Sequence, residues 1–441
     1  MAEIAPLTPL RYDANHLPGG LASVVAPPYD VISPAERAVL AARDPHNVVQ
    51  LILPEGEGDS KYANAARILG RWRAEGTLVR DAEPGFYRYD QSFIPPGGGA
   101  RRTRRGFLAL VRLVPFSKGV VLPHERTLAG PKEDRLKLFR ATQTNLSPGF
   151  MLYRDSQGRV APALSRAETI SEFVTPDAIE HTLAKVRDGQ AVRAIVEGLA
   201  HSTLLIADGH HRYETALRYS DEVDAAHAGA APRGEHRYFM TFLADGDSPD
   251  LIVFPTHRHV HSLASFSFDE LVRRAQSHFD VVALPPGSSV DVLLDGLRDA
   301  ARRGPTVAAA VADGRSAWFT LKADADLDAH PVLGSKPSVL RRTDVAILHA
   351  GILEALLGIT PEAQAAKTNL WYPQDARAAL ADLRGGRGQV LFLMNATPVA
   401  QVRAVAEAGE VMPQKSTFFY PKVLTGLAIH TLDPERPIAH V

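Results

Sequence analysis

A mixed α/β chain built of more than one unit is what this sequence predicts, and three observations carry the prediction. Its 441 residues exceed what one hydrophobic core ordinarily organises. Short apolar runs of β type, such as TLLIA (203–207) and QVLFLMNA, alternate with stretches in helical register, such as DVAILHAGILEALLGI. The balance of 45% hydrophobic and 22% charged residues, with a net charge of −1, is that of a globular protein in water.

In chain order, SVVAPPYDVIS (23–33) reads as a strand running into a turn fixed by Pro27 and Pro28, which remove two backbone donors. Ser33, followed by Pro34 and by Glu36 three residues on, opens a helix with a capping box. NVVQLILP (47–54) reads as a buried strand, and 61–75 as a helix. GFYRYDQSFI and RRGFLALVRLV predict a hairpin, with Arg101, Arg102, Arg104 and Arg105 at a solvated tip. His124 to Ala141 runs from loop into helix, 175–200 reads as helix, and TLLIA as a strand. After about residue 265, helices and strands alternate compactly, and the polar stretch KADADLDAHPVLGSKP marks a boundary. Thr343 then caps a helix that carries Val345, Leu348, Ile352 and Leu356 on one face. Strands near 369–372 and at QVLFLMNA follow. The expected organisation is a core over 1–264, a small α/β unit over 265–330, and a C-terminal α/β segment over 331–441 that packs back on the core.

Composition removes several chemistries. With no cysteine there is no disulfide, thiol nucleophile or thiolate-bound zinc. No basic-then-apolar leader opens the chain, and no apolar run approaches the ~20 residues of a membrane span. A cytoplasmic protein without membrane partners is the expectation. The near-neutral charge argues against long nucleic acid as partner; nothing speaks against a homodimer.

The densest chemistry lies in IADGHHRYETAL (206–217). A strand that ends in glycine and turns directly into a helix offers backbone N–H groups and the positive end of a helix dipole to an anion. Gly209 permits close backbone approach, Arg212 can grip phosphate through paired N–H groups, and His210 and His211 add donors that titrate near neutrality. Asp208 can hold Mg²⁺ or take a proton from a hydroxyl. Tyr29 and Asp30 sit on the rigid PPYD turn, a good platform for substrate contact and for a general base. PHERTLAGPKEDR gathers His124, Glu125 and Arg126, with Glu125 a second candidate base and Arg126 a phosphate ligand. THRHVH places His257, His259 and His261 at strand spacing on one face. A phosphate-facing or solvated strand fits that pattern better than a zinc triad, so His257 and Arg258 are assigned to substrate. MPQKSTFFYPK alternates Lys415, Ser416, Thr417 and Lys422 with aromatics; as an extended strand it would turn Lys415 and Ser416 toward phosphate.

PPYDVIS, PHERTLAGPKEDR, IADGHHRYETA, PTHR and MPQKSTFFYPK, in that order over nearly the whole chain, resemble a bacterial and archaeal family catalogued as domain of unknown function ten-fifteen. More distantly, IADGHHRYETA resembles the phosphate-holding box of the ParB/sulfiredoxin-like superfamily, which includes chromosome-partition CTPases, sulfiredoxin and free-serine kinases. Asp208, Gly209, His210, His211 and Arg212 match the D-G-H-H-R wording of the kinases in full. That resemblance implies a ParB/sulfiredoxin-like nucleotide-binding core with large insertions, ATP or ADP as phosphoryl donor with Mg²⁺, and a small polar metabolite such as serine as acceptor. Sulfiredoxin chemistry needs a cysteine that is absent here, and no helix-turn-helix segment supports a partition protein. The residue matching the kinases' catalytic glutamate is not aligned by wording, which leaves Asp30 and Glu125 as candidates. A nucleotide-binding regulatory module and a phosphodiesterase or nuclease stand as alternatives.

Overall fold

The computed structural model describes residues 1–127, 129–227, 229 and 231–439 of the chain. It is a mixed α/β protein that divides into two compact units. The first comprises residues 1–123, 127–252 and 421–441; the second comprises 124–126 and 253–420. The expected boundaries near 264 and 330 both fall inside the second unit.

The first unit is organised by one nine-stranded sheet. Its strands are β1 (Ile4–Ala5), β2 (Phe86–Phe93), β3 (Arg102–Arg112), β4 (Val121–Leu122), β5 (Gly149–Tyr153), β6 (Glu168–Val174), β7 (Glu180–Val186), β8 (Leu204–Asp208) and β9 (Tyr238–Asp245), in the order β4-β8-β5-β9-β3-β2-β7-β6 with β1 against β3. Only β4–β8 and β5–β9 are parallel. The β2–β3 hairpin is the one read from sequence, in register from Tyr87–Leu108 to Phe93–Arg102. Among the described residues, five helices of ten or more residues belong to the unit: α1 (Pro34–Arg43), α2 (Ser60–Ala74), α3 (Ala129–Thr142), α4 (Gly189–Leu199) and α5 (His210–Ala226). The capping box at Ser33 is present, with Ser33 accepting from the Glu36 N–H and Glu36 accepting from the Ser33 N–H. One sheet face carries Phe107, Val111, Met151, Ile206 and Phe239 into a core with Ile195 and Leu199 of α4 and Tyr213 and Ala216 of α5.

Three local expectations are corrected. NVVQLILP is helical at Val49–Ile52, not a strand. Asn47 explains it: its Oδ1 accepts from the Val49 N–H at 3.0 Å and its Nδ2 donates to the Ser23 and Val25 carbonyls, which starts a helical turn. Burial of Val48, Val49, Leu51 and Ile52 on every side erased the helical period. The stretch 23–33 ends a short helical turn (Leu21–Val24) and contains a 3₁₀ turn (Tyr29–Val31), with Ala26 alone bridged to Thr425. The stretch 175–200 is strand β7 and then helix α4, because Glu180–Val186 pairs with strands on both sides and needs no apolar period.

The second unit holds a wholly antiparallel six-stranded sheet. It consists of β10 (Arg258–Val260), β11 (Phe279–Ala283), β12 (Thr306–Ala310), β13 (Ser316–Leu321), β14 (Leu370–Trp371) and β15 (Val390–Met394), in the order β11-β13-β12-β15-β10-β14. Both faces are buried, which is why β15 reads as an unbroken apolar run. Val390, Phe392 and Met394 face one core and Leu391 and Leu393 the other. The helix capped by Thr343 is present but is wound as a π-helix over Ile347–Glu354.

Gly106 on β3 has no room for a side chain: a Cβ there would lie 2.4 Å from the Leu243 carbonyl oxygen and 2.3 Å from the Phe242 ring. Gly106→Ala is expected to lower the stability of the first unit by about 1–3 kcal/mol through overpacking, read as a shifted midpoint in urea unfolding; an unshifted midpoint would contradict this packing. In the second unit, burial raises the Asp344 carboxyl to about 6, opposed by bonds from the Thr306 N–H and Asn395. A raised folded pKa adds stability below about pH 4 that is lost as pH rises to about 6. Asp344→Asn keeps the acceptor for Thr306. It should therefore gain roughly 1–3 kcal/mol on wild type between pH 4 and 7. A difference independent of pH would refute the assignment.

Candidate functional site

The site is built where β8 gives way to α5. The pairing of β8 with β5 slips between Ile206 and Asp208: Ile206 lies opposite Met151, and Asp208 opposite Phe150. This bulge at Ala207 turns Asp208 onto the sheet face that carries Phe150, Phe242 and Arg104, away from the helix-covered face of Ile206. Gly209 follows with φ +91°, a left-handed conformation that glycine adopts without strain. It caps α5 and supplies no side-chain oxygen, so no side chain caps the helix; the first intrahelical bond is from the Tyr213 N–H to the Gly209 carbonyl, 3.0 Å. The positive end of a helix of 17 residues thus begins at His210.

Asp208 is held by two cations. Its Oδ2 lies 2.9 Å from Lys422 Nζ and its Oδ1 lies 3.4 Å from an Nη of Arg212. Arg212 is buried and also donates to the Pro148 carbonyl. Tyr29 and Arg212 both line a small cavity with Arg135, Asn145 and Ser147, and the Arg135 guanidinium stands 4.1 Å over the Tyr29 ring. Burial raises the Tyr29 hydroxyl pKa; the Asp30 and Asp208 charges push it further up, while Arg135 and Arg212 pull it back. Asp30 is exposed on the 3₁₀ turn. Tyr29, Asp30 and the stretch from Asp208 to Arg212 therefore gather in the first unit. His210 is buried and His211 half-buried at the helix start.

Three residues of this neighbourhood were not assigned to it from the sequence. Lys422 completes the Asp208 pair. Gln91 on β2 donates from Nε2 to the Lys422 carbonyl at 3.0 Å and accepts through Oε1 from Arg104. Arg104, placed by sequence at a solvated hairpin tip with its neighbours, is 1% exposed. Arg101 and Arg105 are exposed and pair with Glu180 and Asp90. Strand alternation is the signal that separates them: Arg104 lies in phase with Gly106 and Leu108, opposite Gln91.

The second unit carries the other sequence candidates. Glu125 bridges Met412, whose N–H donates to the His124 carbonyl at 2.8 Å, and His124 Nε2 lies 2.9 Å from Thr417 Oγ1. Arg126 is exposed. Arg258 is buried and well answered: its Nε donates to His349 Nε2 at 2.9 Å, and its terminal nitrogens donate to the carbonyls of Thr256, Gln414 and Lys415. His349, on the π-helix, is held neutral to about pH 3 by burial and by Arg258, with Nδ1 directed to Gln364 Oε1 at 2.7 Å. His257 accepts from the Met394 N–H at 3.2 Å, and burial lowers its pKa to about 4. His259 and His261 both lie against Trp371. Among the described residues no three His, Asp or Glu side chains converge as a metal site. The expected extended strand at 412–422 is limited to Phe418–Tyr420. Before it the chain turns, with Lys415 at φ +59° and Ser416 Oγ donating to the Pro413 carbonyl at 2.5 Å. The Ser416 hydroxyl stabilises that turn and is buried.

Among the described residues no helix is long and apolar enough to cross a membrane. No curated protein matches the sequence. Solved structures that are similar include a conserved hypothetical protein from Pyrococcus furiosus, 14% identical, covering 69% of this chain and 89% of that one with a TM-score of 0.35. A free serine kinase in complex with AMP is 14% identical over 71% of this chain and 89% of that one, with a TM-score of 0.37. A variant of a free serine kinase in complex with ADP is 13% identical over the same shares, also with a TM-score of 0.37. Likenesses of this size leave the functional argument to the residues themselves. A family model described as a protein of unknown function, DUF1015, matches residues 4–346, and the chain belongs to that family.

Proposed function

We propose that this protein is a small-molecule kinase that moves the terminal phosphoryl group of ATP or ADP to the hydroxyl of a small polar metabolite, serine being the first acceptor to test. The observation that carries the reading is the pairing of Lys422 and Arg212 with one carboxylate, Asp208, beside a glycine-led helix start without a side-chain cap. Phosphoryl transfer relies on positioning and on neutralising charge over the phosphate oxygens, and this is the equipment for it. The first unit is read as the ParB/sulfiredoxin-like core that the D-G-H-H-R wording implies.

In this reading the N–H groups of His210, His211 and Arg212 cradle the donor phosphates, with Gly209 allowing close approach. Lys422 and the Arg212 guanidinium supply positive charge. Asp208 keeps both cations aimed and can orient the acceptor hydroxyl. The hydroxyl oxygen attacks the terminal phosphorus, the bond to the bridging oxygen breaks, and the hydroxyl proton passes to a carboxylate. Asp30, on the Tyr29 turn of the same unit, is the base we assign; Glu125 is the other carboxylate named from the sequence. Mg²⁺ enters as the nucleotide's counter-ion, since one carboxylate suits a metal that keeps phosphate and water ligands. Tyr29 remains a candidate acceptor contact; His124, Arg126 and Lys415 belong to the second unit. Arg258, His257 and Ser416 are left out because internal partners occupy them.

Incubation of the full chain with ATP or ADP, Mg²⁺ and a panel of hydroxy metabolites should yield a phosphomonoester detectable by phosphorus NMR. Arg212→Ala and Lys422→Ala should each lower kcat/KM by roughly 10²-fold, about 3 kcal/mol of lost charge stabilisation. Asp30→Asn should cost 10²-fold or more in kcat, and Glu125→Gln much less; the reverse order moves the base to Glu125. Absence of transfer from every nucleotide, with Arg212→Ala indistinguishable from wild type, would sink the kinase reading. Nucleotide binding without transfer to any acceptor would favour a regulatory module.

A further inference from the structure

The first unit holds a second cavity, of about 240 Å³, that shares no lining residue with the Asp208 neighbourhood. Its walls come from the N-terminal segment 11–22, from strand β6, from Leu183 on β7 and from Leu427. β6 is the outermost strand of the sheet, and its pairing with β7 slips. Ser171 lies opposite Leu183 and Thr169 opposite Ala184, so Ile170 has no opposite residue. Such a bulge bends an edge strand, and both Ile170 and Ser171 wall the cavity. Leu17, Leu21, Phe173, Leu183 and Leu427 supply an apolar lining.

Two charged side chains, Arg11 and Glu172, line the same space, and among the described residues they do not pair with each other. Arg11 gives Nε and one terminal nitrogen to Asp81 Oδ1, at 3.0 and 2.7 Å. Among the described residues its other terminal nitrogen makes no hydrogen bond, and the side chain is 26% exposed. Asp81 is shared with Lys185, whose Nζ lies 3.0 Å from Oδ2. One carboxylate thus answers two cations, and positive field remains at Arg11. Glu172 is exposed, and among the described residues no cation pairs with it. The cleft beside α3 and α5 is different. Four charged side chains line it and answer one another, Lys132 with Glu214 at 2.6 Å and Arg218 with Glu133 at 3.1 Å.

We infer that this cavity is a binding site for a free α-amino acid with an apolar side chain, of which leucine is the probe. Its carboxylate meets Arg11, its ammonium meets Glu172, and its side chain packs on Leu17, Leu21, Leu183 and Leu427. The volume lies below the ~300 Å³ at which sites for drug-sized ligands begin, which suits a small metabolite and not a nucleotide. A guanidinium and a carboxylate form charge-assisted bonds, and Glu172 offers an ammonium the acceptor it needs. A solute with one charge leaves either Arg11 or Glu172 unanswered. Serine answers both but sets its hydroxyl against leucine side chains, where it loses water and gains no bond. The site is therefore not that of a phosphoryl acceptor, and it stands independently of the kinase reading.

Titration calorimetry on the full chain, without nucleotide, tests this. Leucine should bind once per chain. It should bind at least about tenfold tighter than 4-methylpentanoate, which lacks the ammonium, than isopentylamine, which lacks the carboxylate, and than serine. Glu172→Gln changes an exposed, unpaired group and so keeps the fold; it should bind leucine and 4-methylpentanoate alike. Arg11→Gln leaves Asp81 with Lys185 and the Tyr87 hydroxyl, and it should bind leucine and isopentylamine alike. Ser171→Phe fills the cavity from the bulged strand and should abolish leucine binding. Each of these levelling effects needs its own charge at the ligand, which a merely structural role of Arg11 or Glu172 would not produce. Absence of leucine binding to wild type would overturn the inference, as would serine bound as tightly as leucine. If Arg11→Gln does not fold, Glu172→Gln decides alone: an unchanged preference for leucine over 4-methylpentanoate places the amino acid elsewhere and the site is wrong. Phosphoryl transfer enters none of these measurements, so failure of the kinase reading and failure of this one are told apart.

Discussion

The candidate site depends on one carboxylate. Asp208 is where Lys422, Arg212 and the field of Arg104 meet, and it reaches that position only because β8 bulges one residue before its end. Without the bulge the side chain would alternate onto the opposite face, against the core with Ile206, and Lys422 would have no anion on which to settle. With it, one negative charge pairs with two positive ones.

The rest of the first unit makes that arrangement durable. Gly106 leaves the room that the Phe242 ring occupies, and Phe242 and Phe150 stand together on one side of Arg104. Gln91 links Arg104 to the backbone of Lys422, so residues from β2, β3, β8 and the final segment of the chain share one set of contacts. Two buried arginines are partnered differently among the described residues. Arg258 is satisfied and fixes His349 in one tautomer on a π-helix. Arg104 is unsatisfied and held near the turn. For both, burial lowers the pKa to about 10, so both stay charged at neutral pH.

What could be read from the sequence was what is local. The turn after β8, the Ser33 capping box, the β2–β3 hairpin and the Thr343 cap each follow from a few adjacent residues. The β8–α5 turn could be read as a strand running through glycine into a helix because the residues that form it are consecutive. What escaped was long-range. Arg104, Asp208 and Lys422 come together only through a sheet order that hydrophobic period does not encode. Arg104 was hidden among its hairpin neighbours, although two-residue alternation already sets it apart from Arg105. The stretch 47–54 was misread because full burial removes period, and 175–200 because a strand paired on both sides needs none. His257 and Arg258 looked like ligands because sequence does not show that Met394, His349 and three carbonyls already occupy them.

The central claim is that the glycine-led start of α5, with Lys422, is a nucleotide phosphate site. Diffraction from crystals of the full chain grown with a non-hydrolysable ATP analogue and Mg²⁺ tests it most directly. The account predicts terminal phosphate oxygens on the N–H groups of His210 to Arg212 and within hydrogen-bond reach of Lys422 Nζ. Nucleotide bound elsewhere on the chain, with the Asp208–Lys422 pair unchanged and no phosphate at the turn, would contradict it.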